Sequence, residues 1–283
     1  MSQLDISPIR NITDILQDMI RRLVDYFIPH VHEGICMAFS GGVDSSVLLA
    51  AACKAVKESG IDRPVLAVTF ATRLHPHGDT TEAAELANML GAVHKIIEID
   101  EFSDARIPEN PRNRCYLCKS LLFQSLLQTG AEHGYTFFCE GSNLDDTKVY
   151  RPGIQAVREL KVASPLIECE LTKLMIRDIA ATEGLAVASK PSTPCMATRL
   201  PYDTHFDYDL LDRINEGEMW LRQRDFYNVR LRFHDPILRI EIDKPDFGRF
   251  MEHYEDIVDS MKKLGFKYVT LDLEGFRSGS MDI

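Results

Sequence analysis

The chain has 283 residues, 45% of them hydrophobic and 27% charged, with a formal net charge of −11. That length allows one large or two modest domains with a sizeable core and no disulfide staples. The acidic balance argues against a protein that grips nucleic acid by its phosphates. The first residues, MSQLDISPIRNITDILQDMI, carry acidic side chains and no continuous apolar run where a signal peptide would need basic and apolar ones. No stretch reaches the roughly 18 apolar residues of a spanning helix, so the chain reads as cytoplasmic, without a membrane partner. Seven cysteines are an odd count for a disulfide framework in a compartment read as reducing, which leaves metal binding, catalysis or burial for the thiols.

Helical spacing of apolar residues predicts an opening helix over 11–29. A short strand follows at 35–39, then the turn Ser40-Gly41-Gly42, then a helix over 44–58 that stops at Gly60. PVLAVTF (64–70) reads as a buried strand, TTEAAELANMLGA (80–92) as a helix ending at Gly91, and VHKIIEI (93–99) as a strand. A helix opens near residue 114, YTFFCEG (135–141) is a strand entering the loop GSNLDD, and 172–184 is helical. Strands alternating with helices imply a parallel sheet covered on both faces, an α/β domain over 1–200. Ligands of such sheets sit beyond the carboxyl ends of the strands, where both glycine-bearing loops would lie. The composition changes near residue 200. A helix over 208–225, two short strands in 228–242 around His-Asp-Pro, a helix over 245–264 and a strand over 267–273 predict a smaller α+β domain over 201–283.

The loop SGGVDSS (40–46) lacks the Lys-Ser/Thr ending of a P-loop and the spaced glycines of a dinucleotide site. Gly41 and Gly42 let backbone N–H groups approach an anion, Ser40, Ser45 and Ser46 add hydroxyls, and the following helix adds its dipole. Asp44 fits beside phosphate only if a divalent cation bridges them. SGGVDSS resembles the signature of the PP-loop ATP pyrophosphatases (adenine nucleotide alpha hydrolase-like), which adenylylate a substrate and release pyrophosphate. The resemblance implies ATP and Mg²⁺ as cofactors, the segment AVTFATRL with Thr69 near the nucleotide, and EGSNLDD with Gly141 as the facing wall. By the same resemblance, Asp145 or Asp146 contacts Mg²⁺.

Cys115-Tyr-Leu-Cys118 stands at a helix start behind NPRNR, and Cys195 lies in KPSTPCMATRLPYDT. C-x-x-C places two thiols on one side of a helical turn, suited to a metal centre or a redox disulfide. Arg112, Arg114 and Lys119 give that pair an electropositive setting. Cys36, Cys53 and Cys139 lie within apolar strands or helices and read as core, and Cys169, between two glutamates, has no assigned role. NRCYLCKSLLF, EGSNLDD, SKPSTPCMATRLPYDT, VRLR and GFKYVTLDLEGFRSGSMD, in this order over nearly the whole chain, resemble the LarE-like sulfur transferases.

That resemblance implies a pyridinium mononucleotide as substrate, whose carboxylate is adenylylated and converted to a thiocarboxylate. The product belongs to the nickel-pincer cofactor of lactate racemase. It implies two branches: one sacrifices the sulfur of a cysteine at the position of Cys195, and the other holds a [4Fe-4S] cluster on cysteines matching Cys115, Cys118 and Cys195. All three are present here, which favours the cluster branch. Three thiolates leave one iron able to hold a transferable sulfide. Thiolates alone do not exclude zinc or a persulfide relay. The sulfur donor that reloads the site is unnamed, and the resemblance implies a homo-oligomer.

Arg230 and Arg232 alternate along a strand and share a face. They are either solvated arginines or, as the resemblance implies, holders of the mononucleotide phosphate. Arg199, beyond Cys195, is a second candidate for that anion and for activating the thiol. Glu218 resembles a metal-contacting acid of the family, with a helix-surface glutamate as the alternative, and His234 reads as structural. Rival readings are a tRNA thiolase of the same superfamily, which the net charge opposes, and an ATP-binding iron–sulfur or zinc regulator.

Overall fold

The apolar segment Ile35–Ala38 forms strand β1 at the centre of a parallel sheet. The computed structural model describes residues 12–75, 79–149, 151–189, 194–277 and 279–281. Residue 11 of the expected first helix, residues 190–193 before Cys195, and residues 278 and 282 of the C-terminal motif lie outside them. The described residues divide into two compact units. Unit 1 draws on 1–71, 77–99 and 115–192, and unit 2 on 72–76, 100–114 and 193–283.

In unit 1, β1 lies between β2 (Leu66–Ala71) and β4 (Phe137–Cys139), with β3 (Val93–Glu98) outside β2, all parallel. Period-2 alternation sends successive side chains to opposite faces. Ile35, Met37 and Ala67 therefore pack with helices α1 (Ile12–Phe27), α2 (Val43–Ser59) and α7 (Lys173–Thr182). Cys36, Leu66 and Val68 pack with α4 (Arg114–Glu132) and α5 (Gly153–Glu159) through Phe123, Leu126 and Val157. Helix α2 is buried nearly all round because it sits between the sheet and α1 and α7.

Helices α3 (Asp79–Met89) and α6 (Pro165–Glu168) complete the unit. Neither α5 nor α6 was expected, since seven and four residues are too few to show a helical period. Strand β4 is shorter than the expected 135–141. The Tyr135 amide donates to Gly130 O (2.9 Å) instead of entering the ladder, and on the outer edge Cys139 forms an isolated parallel bridge with Ala163, where the Glu140 amide donates to Ala163 O (2.9 Å). Strand order reverses at β1, and the loops leaving the carboxyl ends of β1 and β4 flank that switch point.

In unit 2, α8 (Tyr208–Arg222) is capped by Asp207, whose carboxylate accepts from Leu210 N. Strand β5 (Arg230–His234) pairs antiparallel with β6 (Ile237–Glu241), and β6 pairs parallel with β7 (Tyr268–Leu271). Between β6 and β7 the expected single helix is two, α9 (Phe247–Glu252) and α10 (Tyr254–Lys263), interrupted at His253. Leu231, Leu238 and Ile240 are wholly buried on one face of this sheet, and Arg230, Arg232, Arg239 and Glu241 lie on the other.

Segments 72–76 and 100–114 join unit 2 through backbone bonds. Met196 N donates to Leu74 O (2.7 Å), Asp203 N to Asn110 O (3.0 Å) and Phe206 N to Pro108 O (3.0 Å). The main run of unit 2 thus begins at 193, ahead of the compositional change at 200. No helix among the described residues is long and apolar enough to cross a membrane.

Candidate active site

The chain leaves β1 with Phe39 N donating to Val68 O (2.7 Å), then turns at Gly41, where φ is +68°. A side chain at Gly41 would be strained by that φ and crowd Ala83, 3.1 Å from its methyl carbon. Gly42 caps α2, and its carbonyl accepts from Ser45 Oγ (3.1 Å), Ser46 Oγ (2.8 Å) and Ser46 N (3.0 Å). Ser40 Oγ and Ser45 Oγ lie 3.2 Å apart. The first-turn amides of a helix lack intrahelical acceptors, an arrangement suited to an anion.

Thr69 is buried behind the loop. Its hydroxyl donates to Phe39 O (2.6 Å), so the His94 Nε2–H donates to Thr69 Oγ1 (2.8 Å). Burial holds His94 below the ordinary histidine range, in keeping with a neutral ring. Thr69 thus fixes the exit of β1 rather than presenting a free hydroxyl.

EGSNLDD, after β4, comes close to the start of α2. A Cβ on Gly141 would lie 3.1 Å from Ser45 N and 3.3 Å from Ser45 Cα, so only glycine allows this approach. Asn143 caps the turn Leu144–Lys148 by accepting from Asp145 N (2.9 Å), and Asp146 returns the bond to Asn143 N (3.0 Å). Asn143 Nδ2 also donates to Asp44 Oδ1 (3.2 Å), and Lys173 Nζ pairs with Asp44 Oδ2. Lys173 therefore neutralises the carboxylate that looked out of place beside phosphate. Asp145 accepts from Lys148 Nζ (2.8 Å) and Lys173 N (2.9 Å), bonds that hold it below the usual carboxylate range. Asp146 pairs with Arg151 (3.0 Å). Lys173 and Asn143 escaped the sequence reading; the signal available was Thr172, an N-cap that sets Lys173 at the first position of α7.

Cys115 and Cys118 occupy the first turn of α4, one exposed and one half-buried, and share a helix face. Cys195 is half-buried at the N-cap of the turn Met196–Arg199 in unit 2. None of the seven cysteines is in a disulfide. Cys36 and Cys139 are buried and Cys53 packs against the core. Burial pushes the Cys36 and Cys53 thiols up to about 12 and that of Cys139 well above its usual value, consistent with their reading as core. Among the described residues, neither unit by itself brings together three His, Cys, Asp or Glu side chains as a metal-binding group.

Unit 2 contains a buried guanidinium cluster. Arg199 and Glu218 are wholly buried and meet in a bidentate pair. Glu218 also accepts from Arg222 Nη2 (2.7 Å) and Leu231 N (3.0 Å), so it is no helix-surface residue and both its oxygens are occupied. Arg199 Nη1 donates to Thr198 Oγ1 (2.9 Å) and reaches the Pro194 and Cys195 carbonyls (3.4 Å each), bracing the turn that carries Cys195.

Arg230 and Arg232 are 5% and 4% exposed, which overturns the solvated alternative. Arg232 donates to Glu241 Oε2 (3.1 Å) and Thr198 O (2.8 Å), and Arg230 lies over the Phe276 ring at 5.2 Å. Burial, with Arg199 as the largest like charge, pulls Arg230 down to about 10. His234 is half-buried, and burial lowers its pKa.

A family model described as a PP-loop domain matches residues 14–148. The chain is 34% identical over 250 residues to the pyridinium-3,5-bisthiocarboxylic acid mononucleotide synthase of Lactiplantibacillus plantarum, covering 88% of this chain and 89% of that protein. It is 33% identical over 248 residues to an uncharacterized protein of Synechocystis, covering 87% and 91%. Among solved structures it is similar to the NMN synthetase of Francisella tularensis, at 18% identity and a TM-score of 0.49, over 62% of this chain and 75% of that one. With its parallel sheet, glycine loop and full-length relatives, the chain belongs to the LarE-like ATP-dependent sulfur transferases of the PP-loop class.

Proposed function

We propose that the chain adenylylates the carboxylate of a pyridinium mononucleotide and converts it to a thiocarboxylate in nickel-pincer nucleotide biosynthesis. Its relation, over 88% of its length, to a synthase named for a bisthiocarboxylic mononucleotide carries this reading. The cradle at Ser40–Ser46 supports cleavage of ATP between the α and β phosphates. A carboxylate oxygen attacks the α-phosphorus, the bond to the bridging oxygen breaks, and pyrophosphate leaves against the amides and hydroxyls of the loop; Asp145 or Asp146 would hold Mg²⁺, which would offset charge on the phosphates. Displacement of AMP from the acyl carbon by a sulfur nucleophile completes the product. The buried guanidiniums Arg230 and Arg232 would hold the mononucleotide phosphate, with Arg199 and Glu218 fixing the adjoining strand and turn.

Cys115, Cys118 and Cys195 would supply three thiolates to a [4Fe-4S] cluster. The donor set suits that role: Cys115 is exposed, and Cys118 and Cys195 are half-buried rather than sealed in the core as Cys36 and Cys139 are. When bound, such a cluster offers an iron without a protein ligand, where a sulfide from an external donor can be carried. Anaerobic purification with iron and sulfide analysis tests this reading. About four irons per chain and pyrophosphate release only with the pyridinium carboxylate are expected. A colourless protein whose Cys195 loses the mass of H₂S on turnover would overturn the cluster in favour of a sacrificed cysteine, and binding of bulk tRNA would overturn the substrate.

A further inference from the structure

Glu140 lies between the nucleotide loop and the thiol-bearing helix of unit 1. Its carboxylate is 5% exposed and accepts from Ser142 N (3.0 Å), Ser142 Oγ (2.8 Å), Ser164 Oγ (2.8 Å) and Lys119 Nζ (3.4 Å). Three of these donors are neutral, and Lys119 alone brings a full charge. A Cβ on the next residue, Gly141, would stand 3.1 Å from Ser45 N. Lys119 follows Cys118 in α4, with its ammonium 5.5 Å from the Phe123 ring. The same turn is held on another side by Tyr116, whose hydroxyl donates to Glu159 (2.7 Å).

We propose that Glu140 and Lys119 are positioning residues that couple occupancy of the nucleotide loop to the setting of Cys115 and Cys118. This deepens the proposed function and rests on its assignment of the loop to ATP. An anion filling the cradle meets a close wall, because at Gly141 there is no room for even a Cβ beside Ser45 without a shift. Any adjustment of that wall moves Ser142, two of whose groups bond Glu140. The carboxylate is too buried to exchange these donors for water, so the displacement passes to Lys119 and the turn carrying the thiols. A Glu140 that merely capped its own turn would leave the thiols indifferent to nucleotide.

The test is site-resolved alkylation of Cys115 and Cys118 by iodoacetamide, followed by mass spectrometry on the purified full chain, with and without Mg·ATP. Wild-type rates should change by about fivefold or more on adding Mg·ATP, the lower range of measured coupling. In Lys119→Met the change should shrink to under about twofold, while Mg·ATP affinity stays within about threefold. Lys119→Arg, which keeps the charge on Glu140, should restore the response. Coupling is overturned if wild-type alkylation ignores bound Mg·ATP, or if Lys119→Met responds as wild type does. Failure to bind Mg·ATP at all would remove the reading of the loop and this inference with it. Binding without turnover of the pyridinium carboxylate would sink the substrate assignment and leave the coupling test intact.

Discussion

Arg199 and Glu218 form a bidentate pair with Nε–Oε1 at 2.6 Å and Nη2–Oε2 at 3.0 Å, both side chains wholly shielded from water. Such a pair contributes little over apolar packing, but deleting one partner strands the other charge. Glu218→Ala should therefore lower the unfolding free energy by about 3–5 kcal/mol, read as a urea midpoint shift. Burial pushes the Glu218 carboxyl up, but the charge and hydrogen bonds of Arg199, then Arg222 and Leu231 N, outweigh it and leave the folded pKa depressed. A depressed carboxyl contributes stability above its unfolded pKa, about 4.3, and loses it as pH falls toward the folded value. Wild-type stability should drop below about pH 4.3 more steeply than that of Glu218→Ala. Parallel pH profiles would refute the argument.

Arg230 poses the reverse problem. Burial is the largest cost on its charge, and Arg199, Arg222 and Arg232 add like charge against Glu218 as its counter-ion. A bound phosphate would offset that cost. Pyridinium mononucleotide at about 100 times its Kd should raise unfolding free energy by about 2.7 kcal/mol, seen as a higher Tm. In Arg230→Met that shift should vanish while the unliganded Tm stays level or rises. A large fall in the unliganded Tm would mean that Arg230 is structural.

The strand–loop–helix rhythm of unit 1 was legible because each strand sits between turn residues and each longer helix shows its period. SGGVDSS was legible because a phosphate loop is local: its donors lie within seven consecutive residues. The pairing of Lys173 with Asp44 was not, since the partners are 129 residues apart and only the fold brings them together. The burial of Glu218 left a trace: Leu211, Ile214, Glu218 and Leu221 fall on one helical stripe, so an acid stood among core positions. Arg230 and Arg232 left none. Strand alternation gave their shared face, but what covers that face lies elsewhere in the chain. The short helices α5 and α6 were lost for want of length.

Gly141→Ala tests the closeness of the nucleotide wall. The new methyl would stand 3.1 Å from Ser45 N and 3.3 Å from Ser45 Cα, both backbone atoms that no rotamer change can move. Overpacking of this kind costs about 1–3 kcal/mol, here paid in the wall's approach to α2. The Michaelis constant for ATP should rise about tenfold or more, with 1.4 kcal/mol as the measure of each tenfold. The KM for the mononucleotide should hold. Unchanged steady-state kinetics would show that Gly141 does not border the nucleotide.

The cysteines divide by reactivity, and a single alkylation experiment reads the division. Burial pushes Cys36 and Cys53 up to about 12 and raises Cys139 well above its usual value, so each holds little thiolate. Iodoacetamide should therefore label Cys115, the exposed member of the pair, before any core thiol. Cys36, Cys53 and Cys139 should react only on unfolding. Substitution should divide the same way. Cys115→Ser and Cys118→Ser should keep substrate-dependent pyrophosphate release and lose thiocarboxylate formation by about 100-fold or more, since only the thiolate is the ligand or nucleophile. Cys53→Ala should keep both activities and cost about 1 kcal/mol of stability. Loss of pyrophosphate release in Cys115→Ser, with the fold intact by circular dichroism, would place that thiol in activation rather than sulfur transfer.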